Sequence, residues 1–140
     1  MRALVQRVSS ARVRVGDEVV GQIGAGLCAF VGVTHPDGPE QASRLAAKLW
    51  HLRLFEGDRS VGETGGSLLV VSQFTLYGDT SRGRRPSWVA AAPSERAEPL
   101  VDAVVSELRA LGGTVATGRF GATMTVELVN EGPVTLQLDV

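Results

Sequence analysis

A mixed α/β fold with two main helices is what this sequence predicts, and three observations carry the prediction. Pro39 to Leu52 and Ser94 to Leu111 repeat their apolar residues at helical spacing. Around them stand short alternating or continuous runs of aliphatic and β-branched residues, bounded by Gly, Pro and Asn. The two kinds of element interleave in the order ββ(β)αβ(β)αββ, which suits one domain with mixed sheets over residues 1–140. A chain of 140 residues can bury roughly 68–70% of its unfolded surface.

Leu4-Val5-Gln6-Arg7-Val8 is a strand pattern with one unusual inward candidate, Arg7. Val13 and Val15 alternate with Arg12 and Arg14, Gly16-Asp17-Glu18 supplies a turn, and Val19 to Ile23 returns as a hairpin partner. Leu27 to Val33 is continuously apolar, as in a central strand. In the first helix Ala42, Leu45, Ala46, Leu49 and Trp50 share a face opposite Arg44 and Lys48, and His51 suits the negative helix end. Leu52 to Phe55 is a short strand candidate. Glu56 to Gly66, rich in glycine and charge and lacking periodicity, is expected to be a mobile loop.

In the second helix Ser94 is the expected N-cap, Glu95 and Glu98 favour the positive end, and Gly112-Gly113 ends it. Leu100, Val101, Val104, Val105 and Leu108 form its apolar stripe, and Pro99 should loosen its start. Two strands close the chain, Thr123 to Leu128 and Val134 to Val140. Asn130-Glu131-Gly132-Pro133 between them reads as a turn or as a cis peptide site.

The bulk composition excludes several function classes. A net charge of −1 carries no global polyanion signature, so basicity must act locally. Of the 14 basic residues only Lys48 is a lysine, which suits forked phosphate contacts and equally a biased genome composition. Cys28 lies among apolar neighbours and has no disulfide partner. His35 and His51 stand apart with no further ligands beside them, so neither a metal nor a cofactor is expected. The glycine-rich phosphate loop of an NTPase is missing. Neither a signal-peptide core nor an apolar run of roughly 18 residues is present, so a cytoplasmic protein with no membrane contact is expected.

One stretch concentrates candidate chemistry: Leu69-Val70-Val71-Ser72-Gln73-Phe74-Thr75-Leu76-Tyr77-Gly78-Asp79. It begins as a buried strand and admits polar residues without an obvious break. Extended alternation puts Ser72 and Phe74 on one face and Gln73 and Thr75 on the other. The pattern fits a site, and it fits an edge strand with a solvated face. Ser72 and Thr75 are possible nucleophiles, yet no histidine or lysine stands near enough in sequence to claim the role of base. What remains suits binding or oxyanion stabilisation. Downstream, Arg82, Arg84 and Arg85 beside Trp88 could grip a phosphate backbone and stack a base, or form a solvated basic loop.

Five segments together resemble the D-aminoacyl-tRNA deacylase (D-tyrosyl-tRNA deacylase) family over essentially the full length. They are Ala3-Leu4-Val5-Gln6-Arg7-Val8, Gly65 through Leu76, Arg85-Pro86-Ser87-Trp88, Thr117-Gly118-Arg119-Phe120 and Asn130-Glu131-Gly132-Pro133-Val134-Thr135. The resemblance implies a layered β/β/α domain and a homodimer with its active sites at the subunit interface. It implies that Ser72, Gln73, Phe74 and Thr75 line the pocket for the aminoacyl ester and terminal adenosine. Gly132 and Pro133 of the partner would present carbonyls that, with the Phe120 carbonyl, hold the α-ammonium group. Arg7 would steady that motif, Met124 would join the substrate-binding set, and Arg82, Arg84 and Arg85 would bind tRNA.

The implied reaction is ester hydrolysis without an essential protein nucleophile, assisted by the ribose 2′-hydroxyl. Its selectivity is steric: a D side chain projects outward, an L side chain collides with the inserted motif, and glycine is accepted. One departure stands out, since Glu56 to Thr64 is shorter than the family's usual segment and lacks its Gly-Lys-Met-Asn type run. Two other readings remain open at this level, a deacylase tuned to glycine or L-alanine on the wrong tRNA and a dimeric RNA-binding module without hydrolysis.

Overall fold

In the computed structural model, which describes all 140 residues, strand β1 (Arg2–Val15) pairs with three others. Its first half lies antiparallel to β3 (Gly26–Gly32), its second half to β2 (Glu18–Ile23), and its other edge follows β8 (Thr125–Asp139). β6 (Ser67–Ser72) joins β3 in parallel and β7 (Thr114–Thr117) joins β6 in parallel, completing a mixed six-stranded sheet. β4 (Arg53–Phe55) and β5 (Arg59–Ser60) form a separate two-stranded piece.

Alternation along β1 explains how this sheet serves two cores. Ala3 and Val5 face one core, and Val8, one step out of phase, faces the other. Ala11 and Val13 should return to the first face by parity, yet they join Val8. The irregular pairing between Val8 and Ser10 has shifted the phase. The second half of β1, with β2, thus folds over Cys28, Leu69 and Val71, giving two β layers. The third layer is helical: α1 (Pro39–His51) and α3 (Ser94–Ala110) bury Leu45, Leu49, Val104 and Leu108 completely against the other face. Truncating any one of these leucines to alanine costs about 2–5 kcal/mol.

The structure corrects several local expectations. Ser94 is the first helical residue of α3 and Pro93 is the N-cap, with no side-chain capping bond, because proline's fixed φ already suits the entry. Glu56 to Gly66 is not an unstructured loop. It holds β5 and a short helix, α2 (Val61–Thr64), closed by a reciprocal cap: Ser60 N donates to Glu63 Oε2 at 2.8 Å, and Glu63 N donates to Ser60 Oγ at 3.4 Å. Thr114–Thr117, outside every element expected from the sequence, is the parallel strand β7. The two closing strands are one, β8, interrupted by a loop within it rather than ended by a turn.

Candidate active site

β3 and β6 run out together. Val31 opposite Ser72 is the last rung of their ladder, and β3 ends at Gly32. The chain beyond Ser72 therefore has no strand to pair with, and the run expected to stay extended winds into a 3-10 turn, Phe74–Tyr77. The expected two-faced alternation of Ser72 to Thr75 is lost with it. Gln73 N still donates to Val31 O at 2.7 Å, which hangs the turn on the end of β3.

A cavity of about 540 Å³ opens at this carboxyl end of the parallel strands, the usual place for a ligand in such sheets. Ser72, Gln73 and Phe74 form one wall, the segment from Trp88 to Ser94 another, and Phe120 to Met124 a third. None of the residues lining it is ionisable. Thr75 is exposed and lies outside the lining, but Gln73 Nε2 donates to its Oγ1. Phe74 and Trp88 meet edge to face with centroids 5.5 Å apart, and they remain 54% and 43% exposed. Gly78 is what seats the indole, since a Cβ there would stand 2.5 Å from Trp88 Cζ3.

A second assembly lies at the break in β8. Asn130 pairs with Val8 and Thr135 with Gln6, so the residues between them leave the ladder as a projecting loop. The Gly132–Pro133 peptide in it is cis. Arg7 reaches into the loop from β1: its Nη2 donates to Gly132 O at 3.3 Å and its Nη1 to Leu54 O at 2.7 Å. Its side chain is only 20% exposed, with Glu131 Oε2 at 4.0 Å from Nε. Asn130 Nδ2 closes the loop by donating to Arg7 O and Val134 O, at 2.9 and 3.1 Å. Gly132 and Pro133 do not line the cavity of their own chain, and a Cβ on Gly132 would meet nothing within 4 Å.

A family model described as D-Tyr-tRNA(Tyr) deacylase matches residues 4–139. The chain belongs to this family. Proteins named D-aminoacyl-tRNA deacylase from Nocardia farcinica and Thermobifida fusca are 63% and 62% identical to it, over 99% and 100% of both chains. A solved structure titled c-Myc DNA Unwinding Element Binding Protein superimposes with a TM-score of 0.93 at 35% identity, covering 100% of this chain and 99% of its own. A probable eukaryotic D-amino acid tRNA deacylase shares the fold, with a TM-score of 0.87 at 18% identity over 99% and 98% of the two chains.

Within this deacylase-family chain the sequence-predicted residues divide into three groups. Ser72, Gln73, Phe74, Phe120 and Met124 converge on the cavity, with Thr75 beside them. Arg7, Gly132 and Pro133 form the separate projecting assembly. Arg82, Arg84 and Arg85 lie on an exposed loop pinched at its base by paired backbone bonds between Asp79 and Ser87, of 2.8 and 2.9 Å, and none makes an ion pair. In that base Asp79 also accepts from Ser81, which holds its carboxyl below the usual range. Sequence reasoning gave Pro93 and Ser94 no place at the site, although they bring the start of α3 to the cavity, and gave Asn130 no role. A turn-type Asn two residues before Gly-Pro was the available signal for the latter.

Proposed function

We propose that this chain hydrolyses the ester of D-aminoacyl-tRNA, releasing the free D-amino acid and the tRNA, and so removes D residues before they enter translation. The observation that carries this reading is the uncharged cavity at the end of β6, bearing Ser72, Gln73 and Phe74, in a member of the deacylase family. With no acid, base or metal-ligating side chain in its lining, the cavity suits a reaction in which the substrate supplies the assisting group. Water adds to the ester carbonyl carbon, and the bond to the ribose 3′-oxygen breaks. That oxygen leaves with a proton, and the vicinal 2′-hydroxyl helps to move it. Ser72, Gln73, Phe74 and Thr75 bind the acyl group and terminal adenosine and stabilise the developing oxyanion, which preorganised dipoles do best where water is excluded.

Chirality is read by the projecting loop of a second copy. Because Gly132 and Pro133 stand clear of their own cavity, and a Cβ on Gly132 would meet nothing, they suit insertion into a partner's cavity in a homodimer. Their carbonyls, with that of Phe120, accept from the α-ammonium group. With ammonium and ester both fixed, an L side chain meets the loop, a D side chain points away, and glycine passes. Phe120 and Met124 complete the acyl wall. Arg82, Arg84 and Arg85 hold the acceptor-arm phosphates beside the exposed Trp88. The substrate places the protein in the cytoplasm. No helix here is long and apolar enough to cross a membrane.

Deacylation of one tRNA carrying D-tyrosine, L-tyrosine or glycine, in separate reactions, tests the reading. Release of D-tyrosine and glycine with L-tyrosine spared is expected. Release of neither tyrosine enantiomer would overturn it, and equal release of both would overturn the steric account of selectivity.

A further inference from the structure

The 3-10 turn that carries Phe74 and Thr75 is four residues long, too short to hold its own shape by internal bonds. The backbone bonds at its two ends are Leu76 N to Gln73 O at 3.3 Å and Gly78 N to Thr75 O at 2.9 Å. The carbonyl of Leu76 therefore looks outward for a donor, and Arg2 provides it: Nη1 donates to Leu76 O at 3.0 Å. The same guanidinium sits over the Tyr77 ring, Cζ 5.0 Å from the centroid. It is aimed by Asp139, its cross-strand neighbour on β8, whose Oδ1 accepts from Nε at 2.7 Å. Asp139 is fixed in turn by Gln137 Nε2 at 3.0 Å. Three features of one planar fork are thus used on three different groups, which an ammonium cannot reproduce.

The other side of the turn is closed by β3. A Cβ added to Gly32, the direct partner of Arg2 in the β1–β3 ladder, would stand 3.0 Å from Gln73 O and 3.2 Å from both Leu76 Cβ and Tyr77 Cδ2. The turn is therefore pressed against Gly32 on one side and tied by Arg2 at its carbonyl end. β1 carries both brackets of the proposed machinery, Arg2 on the cavity turn and Arg7 on the Gly132 loop.

We infer that Arg2 is a positioning residue for deacylation: it sets the place of Phe74 and Thr75 by tying the Leu76 carbonyl to Asp139 across the sheet. The inference rests on the cavity being the deacylation site. Displacement of the turn by an ångström lowers turnover, while binding of the distant tRNA body is unaffected.

The test uses Arg2→Lys, which keeps the charge opposite Asp139, and Gly32→Ala, which pushes the same turn from the other side. The parent protein runs in the same D-tyrosyl-tRNA assay. Arg2→Lys is expected to melt as the parent does, with kcat lowered about ten- to hundredfold and KM little changed. Gly32→Ala should reproduce that kcat phenotype. Amide exchange supplies a readout independent of activity, with Leu76 and Gly78 losing protection in Arg2→Lys while the β1 amides keep theirs. Unchanged exchange at Leu76 and Gly78 overturns the inference whether or not the parent deacylates. So does an active parent whose Arg2→Lys variant retains kcat, or loses it only in proportion to the folded fraction. An inactive parent, by contrast, counts against the deacylase reading alone.

Discussion

Arg7 and Asn130 hold each other's loop in place: Asn130 Nδ2 donates to Arg7 O at 2.9 Å, while the Arg7 guanidinium donates to Gly132 O, two residues beyond Asn130. The strand break in β8 is thus a built feature, closed at its neck by an amide and at its tip by a guanidinium. The amide's two donors serve two backbone carbonyls, one on each strand.

Asn130→Asp keeps the shape of that side chain but removes both donors and sets a charge against two carbonyls. Stability should fall by about 1–2 kcal/mol, read as a lower melting temperature. Deacylation should fall further than the folded fraction does, because the loop is no longer held in one geometry.

Thr75→Ala separates a nucleophile from a binding group. No ionisable residue lines the cavity, and Thr75 Oγ1 accepts from Gln73 rather than donating to a base. Single-turnover release of D-tyrosine should stay within about tenfold of the parent, whereas loss of a group taking part in proton transfer costs about 10²–10⁴-fold. Complete loss of turnover with intact tRNA binding would restore Thr75 as the nucleophile.

Gly132→Val tests where the loop acts. Nothing in its own chain lies within 4 Å of a Cβ there. The variant should therefore fold and melt like the parent. Its deacylation should nevertheless be abolished, because the added bulk meets whatever the loop enters. Mixing it with an inactive cavity variant should restore activity, at the heterodimer site that pairs the intact cavity with the intact loop.

Much of this fold was readable because burial imposes a period on the sequence. Leu45, Leu49, Val104 and Leu108 announce their helices, and Leu68 to Val71 their strand, since each must face a core. The misses share a different cause. Whether Phe74 stays extended depends on where β3 ends, a fact about the partner strand rather than about Phe74 itself. β7 is four residues of mixed character, placed by its parallel neighbour β6. The cap at Ser60 and Glu63 was legible as Ser-x-x-Glu, but glycine and charge around it masked the signal. For the site, motif resemblance brought out Ser72, Gln73, Phe74 and Arg7. Asn130 left only the weak signal of a turn-type residue before Gly-Pro, and Arg2 acts through a backbone carbonyl, which carries no sequence mark.

Acid should weaken the bracket at the end of β8. Arg2, then Gln137, hydrogen-bond Asp139 and hold its folded pKa below the usual value. The folded state therefore binds fewer protons than the unfolded one between the two pKa values, so stability rises with pH there. That contribution is full above the unfolded pKa, at about pH 5 and higher, and is lost as pH falls through the folded one. Melting temperatures followed from about pH 6 down to pH 3 should fall less steeply for Asp139→Asn than for the parent. An unchanged slope would show that this carboxylate is not a contributor.

Arg82, Arg84 and Arg85 stand on a loop with no acidic partner, and a cation left unpaired at the protein surface is free to replace counterions on a phosphate backbone. Replacing all three with glutamine should leave the melting temperature unchanged, since none of them is buried or bonded within the chain. Binding of tRNA should weaken alike for D-tyrosyl and uncharged forms, because phosphate contacts carry no information about the acyl group. The decisive quantity is the salt dependence. If each arginine neutralises one phosphate, the slope of log affinity against log salt should lessen by about 0.7–0.9 per contact. A triple variant with the parent's slope would place tRNA on another face, and Trp88 would then be a wall of the cavity and nothing more.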